Sequence, residues 1–185
     1  GDLVGKGPSS AEAVDMTQLY CEKVILGNWD YLVAKKTTDH TEWHREKLGE
    51  ERIAYLQELP MYLEFYMSGR LIRLCHAAPN DLFHRTFLHS EKVDRMKLFE
   101  PTPTLQKPAD VVGYGDIHGA HIQNFDGKTI FNTGSVGNPL EITQASYSII
   151  EGIYGSREIS PFTISLVRVP YNIEAAVEQA LASDM

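Results

Sequence analysis

Short apolar runs that each stop at a polar side chain, most of them beside glycine, constrain this chain more than any other feature. Asp2 follows Gly1 and precedes a Gly/Pro-rich turn in GDLVGKGP, Asn28 lies in GNWD, His76 closes LIRLCH, and Asp116 and His118 lie in GDIHG. Carboxylate, amide and imidazole groups at the ends of apolar runs make a hard-oxygen and imidazole donor set. That set suits Mn, Fe, Zn or Ni rather than Ca or Cu(I). Each member also has a plainer reading: Asp2 as a turn residue accepting backbone N–H groups, Asn28 as a loop residue, His76 as a structural histidine at a strand end.

The remaining pattern alternates helix and strand. Ser9 and Glu12 read as an S-x-x-E capping box opening a helix to about Tyr20. Residues 23–26 read as a short strand ending in the GNWD loop. Residues 38–58 read as a polar helix with Ile53, Leu56 and Leu59 on its buried face, stopped by Pro60. Residues 62–67 and 71–76 read as strands joined by a Ser68-Gly69-Arg70 turn, and 111–114 as an apolar strand. Asp126-Gly127 is a strong hairpin signal between 121–125 and 128–131. Residues 147–153 and 163–169 complete the strands. A last helix carries Ile173, Ala176, Val177, Ala180 and Leu181 on one stripe. Residues 89–108 give no readable pattern beyond a Pro-Thr-Pro loop. Hairpins mixed with helices predict a mixed sheet rather than a purely parallel one.

Composition narrows the class. The 185 residues suit one domain, and 43% hydrophobic with 23% charged residues is ordinary for a soluble globular protein. No apolar run approaches the roughly 20 residues of a membrane helix, and no secretory leader opens the chain. Cys21 and Cys75 lack metal or disulfide-scaffold spacing, fit a reducing cytoplasm, and read as two small buried hydrophobes. A net charge of −8 argues against a nucleic-acid partner, though a local metal site can still take a short phosphodiester.

The order GD, GN, H and G-x-x-H, followed by NTGSVGNP at 132–139, resembles the calcineurin-like metallophosphoesterases, most closely their small bacterial phosphodiesterase branch. The resemblance spans nearly the whole chain. It implies an α/β sandwich of two facing mixed β-sheets flanked by helices, with two divalent ions at the carboxyl ends of the strands, as the general rule for ligand sites in open α/β sheets also has it. It implies Asp2 as the carboxylate bridging two cations roughly 3.5–4 Å apart, Asn28 as a neutral amide ligand and His76 as a second-metal ligand. By its place in the order, GDIHG matches the family's Gly-His-x-His motif. His118 then takes the first-metal position, and Asp116 stands where the family has a histidine. Hard ligation by Asp116 favours Mn or Fe over Zn or Ni. A circular permutation that makes GDIHG the first motif is a minor alternative. Asp2, Asn28, His76 and His118 are thus the expected catalytic residues, and these four with Asp116 the expected metal ligands.

Two departures qualify that picture. The family's Asp-x-His-Gly motif, with its strand–helix–strand lead into GD, is missing before Asp2. Gly1 therefore reads as the start of a fragment lacking roughly 35–40 residues, the scale of a βαβ unit. Trp29 replaces the histidine that protonates the leaving oxygen in many members, a loss worth about 10²–10⁴-fold in rate unless another donor serves. His40, His44, His84, His89 and His121 are candidates by composition only, and each reads better as a surface or core histidine. Asp30 reads as a group that orients a ligand rather than binding metal. The expected activity is hydrolysis of a phosphodiester or phosphomonoester by a metal-bound hydroxide, with no phosphoenzyme. A non-catalytic metal-binding module and a nuclease of the same superfamily are the alternatives. The expected partner is a small phosphate ester, with self-association left open. Specificity is expected in 81–108, and Ser135 reads equally as a phosphate contact or a structural residue.

Overall fold

Turn chemistry and strand alternation account for most of the architecture. The computed structural model describes residues 1–36 and 39–184. In chain order the elements are α1 (Ser10–Tyr20), α2 (Asn28–Lys35), α3 (Asp39–Glu58), β1 (Tyr62–Met67), β2 (Arg70–Cys75), α4 (Lys92–Lys97), β3 (Val111–Tyr114), β4 (His121–Phe125), β5 (Lys128–Asn132), β6 (Ala145–Glu151), β7 (Thr163–Val169) and α5 (Ile173–Ala182). They fall into two compact units. Gly1–Pro60 with the residues from Tyr171 onward form the first, and Met61–Pro170 the second.

The first unit is helical. Val14 of α1, Val33 and Ala34 of α2, and Leu48, Ile53 and Leu56 of α3 share one buried cluster with Val4. α3 is two helical segments meeting at Gly49, whose φ of 73° and ψ of 165° break the ladder. Only glycine takes such a backbone at little cost, and the apolar spacing gives no sign of the break. The part of that helix expected at Thr38 lies outside the described residues. Arg45 Nη1 donates to the Val33 and Ala34 carbonyls, 3.0 Å each, satisfying the open end of α2.

Three expectations change here. The Ser9 capping box is absent: Ser9 has φ −94° and ψ 34° and caps nothing through its side chain. Ser10 Oγ instead bonds the Gly7 carbonyl (3.4 Å) and His44 Nδ1 (3.3 Å). Residues 23–26 form no strand, because a strand needs a paired neighbour and the bond shown is Leu26 N–H to the Pro60 carbonyl (2.8 Å). GNWD is the start of helix α2 rather than a loop, since Asp30 supplies the carboxylate that caps it. The α5 stripe forms as a helix capped by Asn172 Oδ1, which accepts from Ala175 N–H at 3.0 Å, but Val177 and Leu181 are exposed.

The second unit is a five-stranded mixed sheet, order β1-β2-β3-β5-β4, with a separate β6-β7 pair. β2, β3 and β5 run parallel at the centre, and β1 and β4 close the edges as antiparallel hairpins. The β4–β5 turn has Asp126 and Gly127 both at positive φ, as a type I′ turn requires. One sheet face buries Cys75, Val112, Tyr114 and Ile130 under Leu98 and Phe99. The other buries Ile72, Val111 and Phe131 against Ile150 of β6 and Ile164 of β7. The second sheet is therefore a two-stranded antiparallel pair, not a second mixed sheet, because the register runs only Ala145↔Val169 to Glu151↔Thr163. Cys75 is buried, and burial pushes its thiol up to about 12; Cys21 is exposed at the end of α1, where the helix leaves no core to cover it.

Arg73, wholly buried in β2, holds the segment that the sequence left unreadable. Its Nε and Nη2 bond Glu64 Oε1 on β1 (2.8 and 2.7 Å), while Nη1 donates to the Leu98 and Glu100 carbonyls (2.7 Å each). Thr102 Oγ1 completes the Glu64 carboxylate at 2.8 Å. Breaking a buried pair strands a charge, which costs about 3–5 kcal/mol. Arg73→Ala is expected to lose about that much stability in urea unfolding, and an undiminished midpoint would contradict the assignment. Burial lowers His44 below its ordinary value. The unfolded chain gains a proton near pH 6.5 that the folded chain resists, so stability falls as pH drops through about 6.5 toward 5. His44→Gln should flatten that part of the urea-midpoint profile.

Candidate metal centre

In the first unit, the site residues are built around Asp30. It is fully buried and accepts N–H bonds from Asp2 (2.7 Å), Leu3 (2.8 Å) and Gly27 (2.9 Å). Desolvation pushes its carboxyl above the usual range, against the backbone N–H groups of Gly27 and Leu3. The Asp2 carboxylate in turn accepts from Trp29 N–H at 2.8 Å. A Cβ at Gly27 would collide with the Asp2 backbone nitrogen and Oδ1, so the cradle under Asp2 exists only because residue 27 has no side chain. Asn28 follows, buried, as the first residue of α2. The Trp29 ring is committed to packing: Lys6 Nζ sits 4.4 Å over it, and His44 meets it edge-on at 6.5 Å.

In the second unit, the site residues stand at the carboxyl ends of the three parallel strands. His76 follows β2, Asp116 and His118 lie two and four residues beyond β3, and Thr133 follows β5. Gly115 N–H donates to the His76 carbonyl (2.9 Å), and Asn132 Nδ2, fully buried, donates to the Gly115 carbonyl (2.6 Å). His76 Nε2 lies 3.8 Å from Asp116 Oδ1, and Arg85 Nε lies 3.2 Å from Asp116 Oδ2. His118 Nδ1 is 2.6 Å from the Asn138 carbonyl oxygen. A carbonyl only accepts, so Nδ1 carries the proton and Nε2 presents its lone pair, the usual arrangement behind a metal-binding histidine.

Backbone conformation marks three of the five candidates. Among the described residues six non-glycines have positive φ, and Asp2 (56°), Asp116 (57°) and His118 (57°) are three of them. Ser68 and Asp126 belong to hairpin turns that need that geometry, and Gln106 lies in the loop between α4 and β3, outside the candidate set. The three ligand candidates sit in loops, where left-handed backbone costs about 1–2 kcal/mol per residue and marks functional positions more often than chance placement.

The donor chemistry fits divalent first-row metals: carboxylate, amide and oriented imidazole. Among the described residues no three His, Cys, Asp or Glu side chains converge into one cluster. The structure pairs Asp2 with the Gly27–Asp30 turn in one unit and His76 with Asp116 in the other, and turns His118 by way of Asn138. Asn132, Asn138 and Arg85 are the residues that motif reading missed. Asn132 and Asn138 lie inside the NTGSVGNP segment, whose work is to hold the GDIHG loop. Ser135 Oγ accepts from Asn138 N–H at 3.0 Å, which places it in that same scaffold.

No protein-family model matches the chain. An uncharacterized protein of Methanocaldococcus jannaschii, MJ0912, is 27% identical over 211 aligned positions, which take in 97% of this chain and 77% of that protein. A metallophosphoesterase from Sphaerobacter thermophilus shares the fold with a TM-score of 0.72 and 17% identity, covering 97% of this chain and 79% of that one. The hypothetical protein PH1004 from Pyrococcus horikoshii OT3 also gives a TM-score of 0.72, at 19% identity, covering 96% and 76%. The fold is therefore that of a metallophosphoesterase. At 17% and 19% identity these likenesses establish the fold alone.

Removing the Asp30 carboxylate leaves three N–H donors without their acceptor, at about 1–3 kcal/mol each. Asp30→Ala is expected to destabilise the protein by several kcal/mol in chemical denaturation, and Asp30→Asn by less, since its amide keeps one acceptor oxygen. Equal losses in the two variants would contradict this reading.

Proposed function

We propose that this protein is a metal-dependent phosphoesterase that hydrolyses a small phosphodiester or phosphomonoester, with Asp2, Asn28, His76, Asp116 and His118 as metal ligands. The observations that carry the reading are the left-handed backbones of Asp2, Asp116 and His118, with the Asp30 carboxylate on the Asp2 N–H, Arg85 beside the Asp116 carboxylate and the Asn138 carbonyl on the His118 ring. Two divalent ions, Mn or Fe ahead of Zn or Ni, would activate water and offset phosphate charge when bound. The chain's own part is to fix the donors: Asp30 sets the Asp2 backbone, the Asn138 carbonyl sets the His118 tautomer, and Asn132 holds the Gly115 carbonyl at the start of the GDIHG loop. The likeness to the small bacterial phosphodiesterase branch supports a diester, and Trp29 favours one with a good leaving group, because an indole donates no proton at neutral pH. Two free cysteines fit a reducing cytoplasm, and no helix among the described residues is long and apolar enough to cross a membrane.

The same Trp29 supports a second reading, a metal-binding module without turnover. Metal-stripped protein given Mn²⁺ separates the two. The enzyme reading expects Mn-dependent hydrolysis of bis-p-nitrophenyl phosphate, reduced in Asp2→Asn and His118→Ala by at least the roughly 10–100-fold that even supporting residues of metal sites contribute. Mn-dependent thermal stabilisation with no hydrolysis by any first-row metal would leave the binding module.

A further inference from the structure

Arg85 stands apart from the ligand set and is committed to it. Its Nε lies 3.2 Å from Asp116 Oδ2, with the Asp116 side chain 2% exposed and the Arg85 side chain 59% exposed. The guanidinium thus forms an ion pair with a nearly buried carboxylate while most of the arginine side chain is exposed. The backbone beside it is anchored: Thr86 is buried, and its carbonyl accepts a 2.7 Å bond from the hydroxyl of Tyr114, the last residue of β3. Asp116 therefore orients the side chain, and Tyr114 fixes the loop that carries it. A guanidinium paired with a carboxylate on its Nε side still offers its Nη donors as a fork matched to two oxygens of a phosphate. The chain around it has a net charge of −8, which repels phosphate esters unless a local cation is supplied.

We infer that Arg85 binds the non-bridging phosphate oxygens of the substrate, an assignment that rests on the phosphoesterase reading. The grip is on the phosphoryl group, so it serves diesters and monoesters alike, and Asp116 acts as both metal ligand and positioning residue for the arginine.

Inorganic phosphate tests this with Mn-loaded wild type, Arg85→Ala and Arg85→Lys, by calorimetric titration of phosphate and, separately, of Mn²⁺. Because Arg85 is mostly exposed, its variants are expected to melt near the wild-type temperature. The expected result is phosphate affinity about tenfold weaker in Arg85→Ala, partly recovered in Arg85→Lys, with Mn²⁺ affinity held within threefold. Phosphate affinity in Arg85→Ala within twofold of wild type would overturn the assignment. So would a variant that changes only its Mn²⁺ affinity, which would make Arg85 a counter-ion of Asp116 and nothing more. Wild-type protein that binds Mn²⁺ but no phosphate would overturn the phosphoesterase reading and Arg85's role with it, a result distinct from loss in the variant alone.

Discussion

A single buried ion pair organises the second unit. Arg73 and Glu64 face each other across the β1–β2 register, each almost without solvent. A charge in that position is tolerated only if every donor and acceptor around it is used. Arg73 meets the condition by binding the carbonyls of Leu98 and Glu100, and Glu64 by accepting from Thr102. The irregular chain from Leu98 to Thr102 is thus laid on the sheet by polar contacts, and Leu98 and Phe99 become the lid of that core face. β2 is also the strand whose end presents His76, so the pair that covers the sheet also anchors the strand that leads to one ligand candidate.

The loops at the sheet's carboxyl edge repeat the same economy on a smaller scale. The candidates of this unit stand on loops tied by groups from outside the candidate set. Asn132 grips the Gly115 carbonyl, Gly115 grips His76, and the Asn138 carbonyl turns His118. None of these supporting groups belongs to the candidate ligand set, yet each ties down a loop that carries one of its members. In the first unit Asp30 has the corresponding place, with three N–H groups converging on one carboxylate.

Much of this was legible from residues alone, where the determining contacts are local. Asp126-Gly127 forces a hairpin, apolar runs bounded by turn residues mark β1 to β3 and β7, and most of the candidates stand beside glycine or at the end of an apolar run. What stayed hidden depends on partners distant in sequence. Nothing near Leu98 signals that Arg73 will take its carbonyl, and nothing in GNWD distinguishes a loop from a helix until Asp30 meets Asp2. Ser9 fits the capping pattern, yet Ser10 takes the buried polar role because His44 waits for it. The strand expected at 23–26 has the right residues and no ladder, and the second sheet is only the antiparallel β6–β7 pair.

The two cysteines divide the molecule chemically. Cys75 lies in the sheet core with its thiol pushed up to about 12, so almost none of it is thiolate at neutral pH, while Cys21 is exposed where α1 ends. Only a thiolate that solvent reaches reacts quickly with alkylating reagents. A maleimide dye added to the folded protein therefore marks the helical unit at one defined point and leaves the sheet untouched. The chain thus carries its own single attachment site for fluorescence or spin-label work, with no cysteine to remove.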